Sequence, residues 1–233
     1  MTLHSFRLFA PFQVALDVQI FSKADAIHSD ANIADALKTE SIASLKQVHG
    51  NRTIIVREPQ RRTEEADGMW TDAKDLTLTI RVADCQAFVA YDPKKNVIGL
   101  LHAGWKGLVN GAIPAFFKKG TEEFGINAAD ILIGVGPCLC TQCAEFSDPA
   151  RELPGIDPRF FHGRNADLRA IADQQLIDAG VLQKNVERIP DCTKCKNGKW
   201  WSYRGGDRGK VMEGLTNVVS VTLLLVDPLL VTR

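Results

Sequence analysis

Three short stretches carry residues that could do chemistry together: His49 in Gln47-Val48-His49-Gly50, Cys85 in Ala83-Asp84-Cys85, and His102 in His102-Ala103-Gly104-Trp105. Thiolate and imidazole are natural donors to zinc, and a soft sulfur beside two imidazoles also suits copper. Three protein donors leave one position of a tetrahedral ion open, the arrangement of catalytic rather than structural zinc. The same residues support a second scheme, in which His102 activates the Cys85 thiol as a nucleophile and Asp84 or His49 orients the pair. Taken singly, each residue has a plainer reading as a core or surface histidine or a small buried cysteine. Spacing alone leaves these schemes open.

A second group competes with the first. Cys140-x2-Cys143 and Cys192-x2-Cys195 form a pair of CxxC motifs, a pattern that ordinarily suggests a structural zinc held by four cysteines. The stretch from Cys143 to Cys192 far exceeds the usual zinc-ribbon gap, and a chain of this length can bury a core without a metal. The expectation is therefore unpaired thiols or a redox-labile pair, with the four-cysteine site as the alternative. Gly205-Gly206-Asp207-Arg208-Gly209-Lys210 has a superficial likeness to a phosphate loop, but lacks the Walker spacing and the hydroxyl residue after Lys. Arg204, Arg208 and Lys210 could still hold an anion with Ser202 as a hydroxyl donor, or form a mobile basic loop. Lys106 follows Gly104-Trp105 at what reads as a helix start, where anions bind well; its plainer reading is a solvent-facing lysine.

The elements that must position these residues are mostly strands. Val14–Phe21, Thr53–Val56 and Leu76–Val82 have strand character, and Ala87–Tyr91 with Val97–His102 reads as a hairpin turned by Asp92-Pro93-Lys94-Lys95-Asn96. Ile131–Gly136 reads as a buried strand. Cys85 then lies just outside one hairpin strand and His102 at the end of the other, within reach across a ladder. Helices are expected over Ile33–Leu45, over Leu108–Glu123 with Pro114 able to kink it, and over Asp167–Ala179 with Gly180 as the stop. Strands outnumber helices without alternating with them, so the class is α+β (mixed α/β), not a doubly wound parallel sheet.

The bulk properties bound the rest. The 233 residues are 45% hydrophobic and 24% charged, with zero net charge, ordinary for a soluble globular protein. No linker divides the chain, so one domain over residues 1–233 is expected. Neutrality gives no electrostatic footprint for nucleic acid or an anionic membrane. His4, Arg7, Gln13, Asp17 and Gln19 interrupt the segment Met1–Phe21, which therefore does not read as a secretory signal. The apolar run Val218–Val226 is shorter than the about 20 residues that span a bilayer. It reads as a buried strand or terminal helix ended by Asp227-Pro228. A cytoplasmic location is expected, where six cysteines serve as thiols or metal ligands rather than disulfides.

A family resemblance adds to this. Gln47-Val48-His49-Gly50, Ala66-Asp67-Gly68, Val82-Ala83-Asp84-Cys85, His102-Ala103-Gly104-Trp105-Lys106-Gly107, Gly134-Val135-Gly136-Pro137, Cys192-Thr193 and Trp201-Ser202-Tyr203-Arg204 occur in the order of the laccase-domain family, also called the YfiH or multicopper polyphenol oxidase family. The chain resembles that family over about residues 40 to 225. The resemblance implies a single mixed α/β domain of packed sheets and helices, and a zinc held by His49, Cys85 and His102. It implies phosphorolysis of adenosine, inosine, guanosine or methylthioadenosine, with an adenosine deaminase side activity. Zinc would activate water for attack at C6 of adenine, and Asp84 would handle a proton or support the metal. Lys23, Gln47, Lys106, Ser202 and Arg204 are the expected contacts to nucleoside and phosphate. The alternatives are a copper-dependent polyphenol oxidase, a cysteine hydrolase, or a non-catalytic member that keeps its metal. Five histidines in all are too few for a multicopper oxidase with several copper sites. The chain departs from the family pattern in three places: Lys23 stands where arginine is usual, Val82 where threonine is usual, and Ala144 where tyrosine is usual. Lysine keeps the charge of arginine without its two-pronged fork.

Overall fold

The structure, a computed structural model, describes residues 6–225. Along the chain run β1 (Leu16–Phe21), α1 (Asp30–Leu37), β2 (Ile42–Lys46), β3 (Thr53–Ile55), β4 (Gln60–Glu65), β5 (Gly68–Thr71), β6 (Thr77–Val82), β7 (Gln86–Asp92) and β8 (Val97–Ala103). Then follow α2 (Trp105–Val109), α3 (Ala112–Phe124), β9 (Leu132–Val135), α4 (Pro149–Glu152), β10 (Phe161–His162), β11 (Asn165–Ala166), α5 (Leu168–Asp178), β12 (Val186–Arg188), α6 (Arg208–Met212) and β13 (Asn217–Leu223). They build a five-stranded sheet in the order β1-β13-β6-β2-β4 and a six-stranded sheet in the order β12-β9-β7-β8-β5-β3, with β10 and β11 as a separate two-stranded ribbon. The mixed α/β class follows.

The two large sheets pack face to face. Alternation puts Leu78, Ile80, Val219 and Val221 of one against Ala87, Val89, Ile98 and Leu100 of the other in one core cluster. The opposite face of the six-stranded sheet buries Phe88, Leu101 and Ile133 under α3 and α5, whose Phe116, Ile171 and Leu176 join them. α1 covers the outer face of the five-stranded sheet with Ile33 against Ile42 and Val218. Strands buried on both faces lose the apolar–polar alternation that marks a half-exposed strand.

Local chemistry fixes the turns. Asp92 accepts from the backbone N–H groups of Lys94 and Lys95 at 2.8 and 3.0 Å, and Asn96 takes the left-handed conformation (φ 54°) that closes the β7–β8 hairpin. Asp167 caps α5 by accepting from Ala170 N–H. Gly99 in mid-strand leaves room for an aromatic pair: a Cβ there would lie 2.6 Å from both Phe116 and Trp70, whose rings stack 4.4 Å apart.

Two helix expectations are corrected. Ile33–Leu45 is not one helix. α1 stops at Leu37, where Lys38 turns left-handed (φ 54°), and Ile42–Leu45 of that run lie in β2, an inner strand between β6 and β4. Leu108–Glu123 divides into α2 and α3 at Gly111 (φ 72°), and Pro114 falls in the first turn of α3, where no intrahelical N–H is needed. The apolar run from Val218 is the strand β13, and Val226 and Asp227-Pro228 lie outside the described residues. No helix among the described residues is long and apolar enough to cross a membrane.

The topology gathers the reactive residues. In register, β8 ends beside the start of β7 (Ala103 opposite Gln86), β5 begins beside Leu101, and β9 ends beside Phe88. β3 is parallel to β5 and β12 parallel to β9. His102 and the turns bearing His49, Asp67, Cys85, Cys140 and Cys192 therefore all lie at one end of the six-stranded sheet.

Candidate metal centre

His102 lies near the end of β8 and Cys85 immediately before β7, with Ala87 opposite His102 in the ladder. His49 comes from the turn between β2 and β3. The structure brings all three together: their donor atoms lie within 4.8 Å of one another, and the His49 and His102 rings meet edge to face with centroids 4.8 Å apart. Gly104 is required here. A Cβ at that position would sit 2.7 Å from Cys85 Sγ.

One buried carboxylate holds two of the ligands. Asp67, fully buried, accepts from His102 Nδ1–H at 2.8 Å. That bond fixes the tautomer and leaves Nε2 free to bind a metal. Asp67 also accepts from three successive backbone N–H groups, those of Val48 (3.3 Å), His49 (3.0 Å) and Gly50 (2.7 Å). Such a run of amides is an anion-binding nest, and it holds His49 in the left-handed region (φ 60°) that non-glycine residues seldom adopt. Burial opposes the charge of Asp67, yet the bonds from His102 and from the Gly50 and His49 amides outweigh it and hold its pKa below the usual value. Asp67, within Ala66-Asp67-Gly68, is a functional residue to which the motif alone assigns no role. An acid at the start of a buried strand was the available signal, since such a group needs donors.

Electrostatics fits the donor chemistry. Desolvation opposes the Cys85 thiolate, but the imidazoles of His102 and His49 bring the thiol down to about 6. Desolvation likewise disfavours a charged His102, and the Cys85 sulfur and Asp67 overcome it, raising His102 to about 9. In the absence of a metal the pair is thus thiolate and imidazolium. A soft cation that displaces the imidazolium proton meets a sulfur already charged and an imidazole already aimed. The donor set fits a single soft or borderline ion with one position open.

The remaining expected site residues fall into two groups. Gln47 is spent on the backbone: its amide donates to Arg81 C=O and accepts from Arg81 N–H, both at 2.9 Å, extending the β2–β6 pairing beyond the strand. Ser202 donates to Asp84 at 2.6 Å and accepts from Gly205 N–H. Lys23 donates to Asp207 and to Asn197 C=O, each at 2.7 Å, and lies over the Trp201 ring. Asp84 itself, left-handed at φ 93°, accepts from Thr193 Oγ1 (2.7 Å), Ser202 Oγ (2.6 Å) and Arg204 N–H (2.7 Å). Both its oxygens carry donors.

Lys106 and Arg204 are differently placed. Lys106 is exposed and lies over Trp105, Trp105 meets Phe146 edge to face, and the Arg204 guanidinium lies over Phe146. The two cations therefore flank an aromatic pair that begins one residue after Gly104. Tyr203–Asp207 form a turn into α6 that is kinked at Gly206 (φ 101°), in which Asp207 bonds Lys23 and the Ser202 N–H.

The comparisons agree with this architecture. Residues 15–217 match the family model described as multi-copper polyphenol oxidoreductase laccase, and the chain belongs to that family. A relative from Bacillus subtilis (strain 168), named purine nucleoside phosphorylase YlmD, is 29% identical over 80% of this chain and 74% of its own. A purine nucleoside phosphorylase of Rickettsia conorii is 31% identical over 78% of each chain. A relative from an unknown prokaryotic organism, named adenosine deaminase RL5, is 26% identical over 70% of this chain and 67% of its own. The crystal structure of the hypothetical protein YfiH from Bacillus licheniformis superposes with a TM-score of 0.76 at 25% identity, covering 90% of this chain and 93% of that one.

Proposed function

We propose that this protein is a zinc-dependent purine nucleoside phosphorylase acting on adenosine, inosine, guanosine or methylthioadenosine, with adenosine deamination as a side activity. The observation that carries the reading is the convergence of His49, Cys85 and His102 under one buried carboxylate. The names of the relatives supply the substrate class. When bound, zinc supplies a Lewis acid with one position left for a small molecule.

The chain's own residues would do the following. Asp67 keeps His102 Nε2 and His49 aimed at the ion. Trp105 and Phe146 offer apolar surface for a base, while Lys106 and Arg204 bring positive charge for phosphate. Phosphate then attacks C1′, the bond from C1′ to the purine nitrogen breaks, and the purine leaves with a proton taken up. Asp84, tied to Arg204 N–H, keeps the segment 202–204 against the metal-bearing turn, Ser202 and Lys23 shape that segment, and Gln47 braces the chain beside it through Arg81. In the side activity water replaces the amino group at C6 and ammonia leaves.

The test is to quantify the bound metal and incubate the protein with adenosine, with and without phosphate. Adenine and ribose 1-phosphate formed only with phosphate support phosphorolysis, and inosine supports deamination. Neither product from protein carrying a full equivalent of zinc sinks the proposal. Oxidation of a phenol after copper loading alone would favour the oxidase reading instead.

A further inference from the structure

We propose that Cys140, Cys143, Cys192 and Cys195 bind a structural zinc ion, separate from the His49–Cys85–His102 centre. Their sulfurs all lie within 4.8 Å of one another. Cys143 Sγ is 3.5 Å and Cys140 Sγ 3.9 Å from Cys195 Sγ. A tetrahedral zinc with Zn–S bonds of about 2.3 Å sets its sulfurs about 3.8 Å apart, so the four thiols already stand close to the corners of such a site. Two backbone N–H groups, those of Cys140 (3.3 Å) and Cys195 (3.5 Å), point at Cys192 Sγ. A sulfur that accepts two amides is favoured as a thiolate, the form that binds metal.

The fold explains why a long insert does not keep the two motifs apart. β9 and β12 are parallel neighbours, with Val135 opposite Arg188, so the chain leaves both strands at the same end. The pairing continues past them: Ile189 N–H donates to Val135 C=O, Thr193 N–H to Cys138 C=O, and Cys138 and Cys192 form a parallel bridge. Each strand delivers one CxxC to the same place, and the intervening β10, β11 and α5 form a closed excursion. A disulfide would need two cysteines and would leave two more beside it. Four convergent sulfurs from two turns match the full donor set of a closed structural site. On binding, the four thiols release their protons to solvent and zinc takes the four thiolates. Lys194 lies within the second motif, while Lys196 just after it is paired with Asp191 at 2.6 Å. The role is a clamp. Thr193, held between two ligands, donates to Asp84, so the ion would fix the segment that braces the turn before Cys85.

The test measures metal in the full chain expressed with zinc and purified without chelator. Wild-type protein is expected to carry one more equivalent of zinc than Cys195→Ser, an exposed position whose substitution opens no core cavity. Cys85→Ala is expected to keep the clamp's zinc, and the double variant to bind none. Cobalt added to metal-stripped Cys85→Ala should give the strong visible and near-ultraviolet bands of a tetrahedral tetrathiolate. That measurement needs no variant of the clamp. Zinc-free Cys85→Ala whose four clamp thiols all react with alkylating agent in the native state would overturn the proposal. So would a disulfide among them in intact-mass analysis, or iron in place of zinc. Zinc lost in Cys195→Ser but unchanged in Cys85→Ala would leave the clamp standing and sink the His-Cys-His centre instead.

Discussion

Asp67 is the residue on which the candidate centre turns, although it would touch no metal. Replacing it with asparagine keeps the shape but removes the charge that orients His102 and gathers the three amides around His49. Loss of such a supporting carboxylate typically weakens metal binding about 10- to 100-fold. Asp67→Asn is therefore expected to lower zinc affinity at this centre by that factor in chelator competition, and unchanged affinity would show that the nest and the histidine bond are incidental. A second expectation concerns Cys85. Its thiol is lowered from 9.0 to about 6, so in metal-stripped protein its alkylation should reach half its maximal rate near pH 6. A midpoint near the ordinary thiol value, read on the Cys85 peptide by mass spectrometry, would contradict the imidazole contacts. At this scale the sequence was informative where residue type is itself chemical. Histidine and cysteine announce themselves, whereas Asp67, Gln47 and Ser202 act through partners distant in the chain, and only the fold shows those partners.

Among the elements, β8 joins two tasks in one strand. Its even-numbered residues line the core between the sheets and end at His102, while its odd-numbered residues face α3. Gly99 sits on the helix side, and an alanine there would press on Trp70 and Phe116. Overpacking of this kind costs about 1–3 kcal/mol. Gly99→Ala is expected to lower the urea midpoint accordingly while the folded protein keeps its metal content. Metal loss without destabilisation would mean that the two faces are not separable. The hairpin β7–β8 was legible because its turn residues and apolar runs agree. β2 was not, because Ile42, Ala43, Ser44 and Leu45 are all buried and carry no alternation to set them apart from the helix before them. β4, written Gln-Arg-Arg-Thr-Glu-Glu, is an edge strand with a largely exposed surface, and its polar sequence gives no strand signal of its own. The convergence of the two CxxC motifs is hidden in the sequence for a related reason: a parallel pair of strands brings together turns that are far apart in the chain.

For the molecule as a whole, the inner strands of both large sheets are buried, so burial dominates the electrostatics of the groups they carry. Tyr91 in β7 reports on this. Burial first, and Asp92 beside it second, raise its pKa above the ordinary value of about 10. The folded state then holds this proton to higher pH than the unfolded chain. The contribution is fully present below about pH 10 and is lost as pH rises through the folded pKa. Urea midpoints measured from about pH 8 to about pH 11 should therefore fall at the alkaline end, and Tyr91→Phe should lessen that fall. An equal decline in both proteins would place the alkaline sensitivity elsewhere.

The spacing of the ligands also bears on when each ion could be captured. Cys85 and His102 flank one hairpin, whereas His49 comes from a turn far from both in the chain. The β7–β8 hairpin pairs Cys85 with His102, but until β3, β5 and β8 have docked and Asp67 has drawn the His49 turn in, the third ligand is missing and the set cannot close on a metal. Each CxxC, in contrast, offers two sulfurs within a single turn of an unstructured chain. During refolding in the presence of zinc, the cysteine clamp would load early and the histidine centre last. A metal-sensitive dye followed against tryptophan fluorescence would then serve as a clock for the final docking of the sheet end that carries the chemistry.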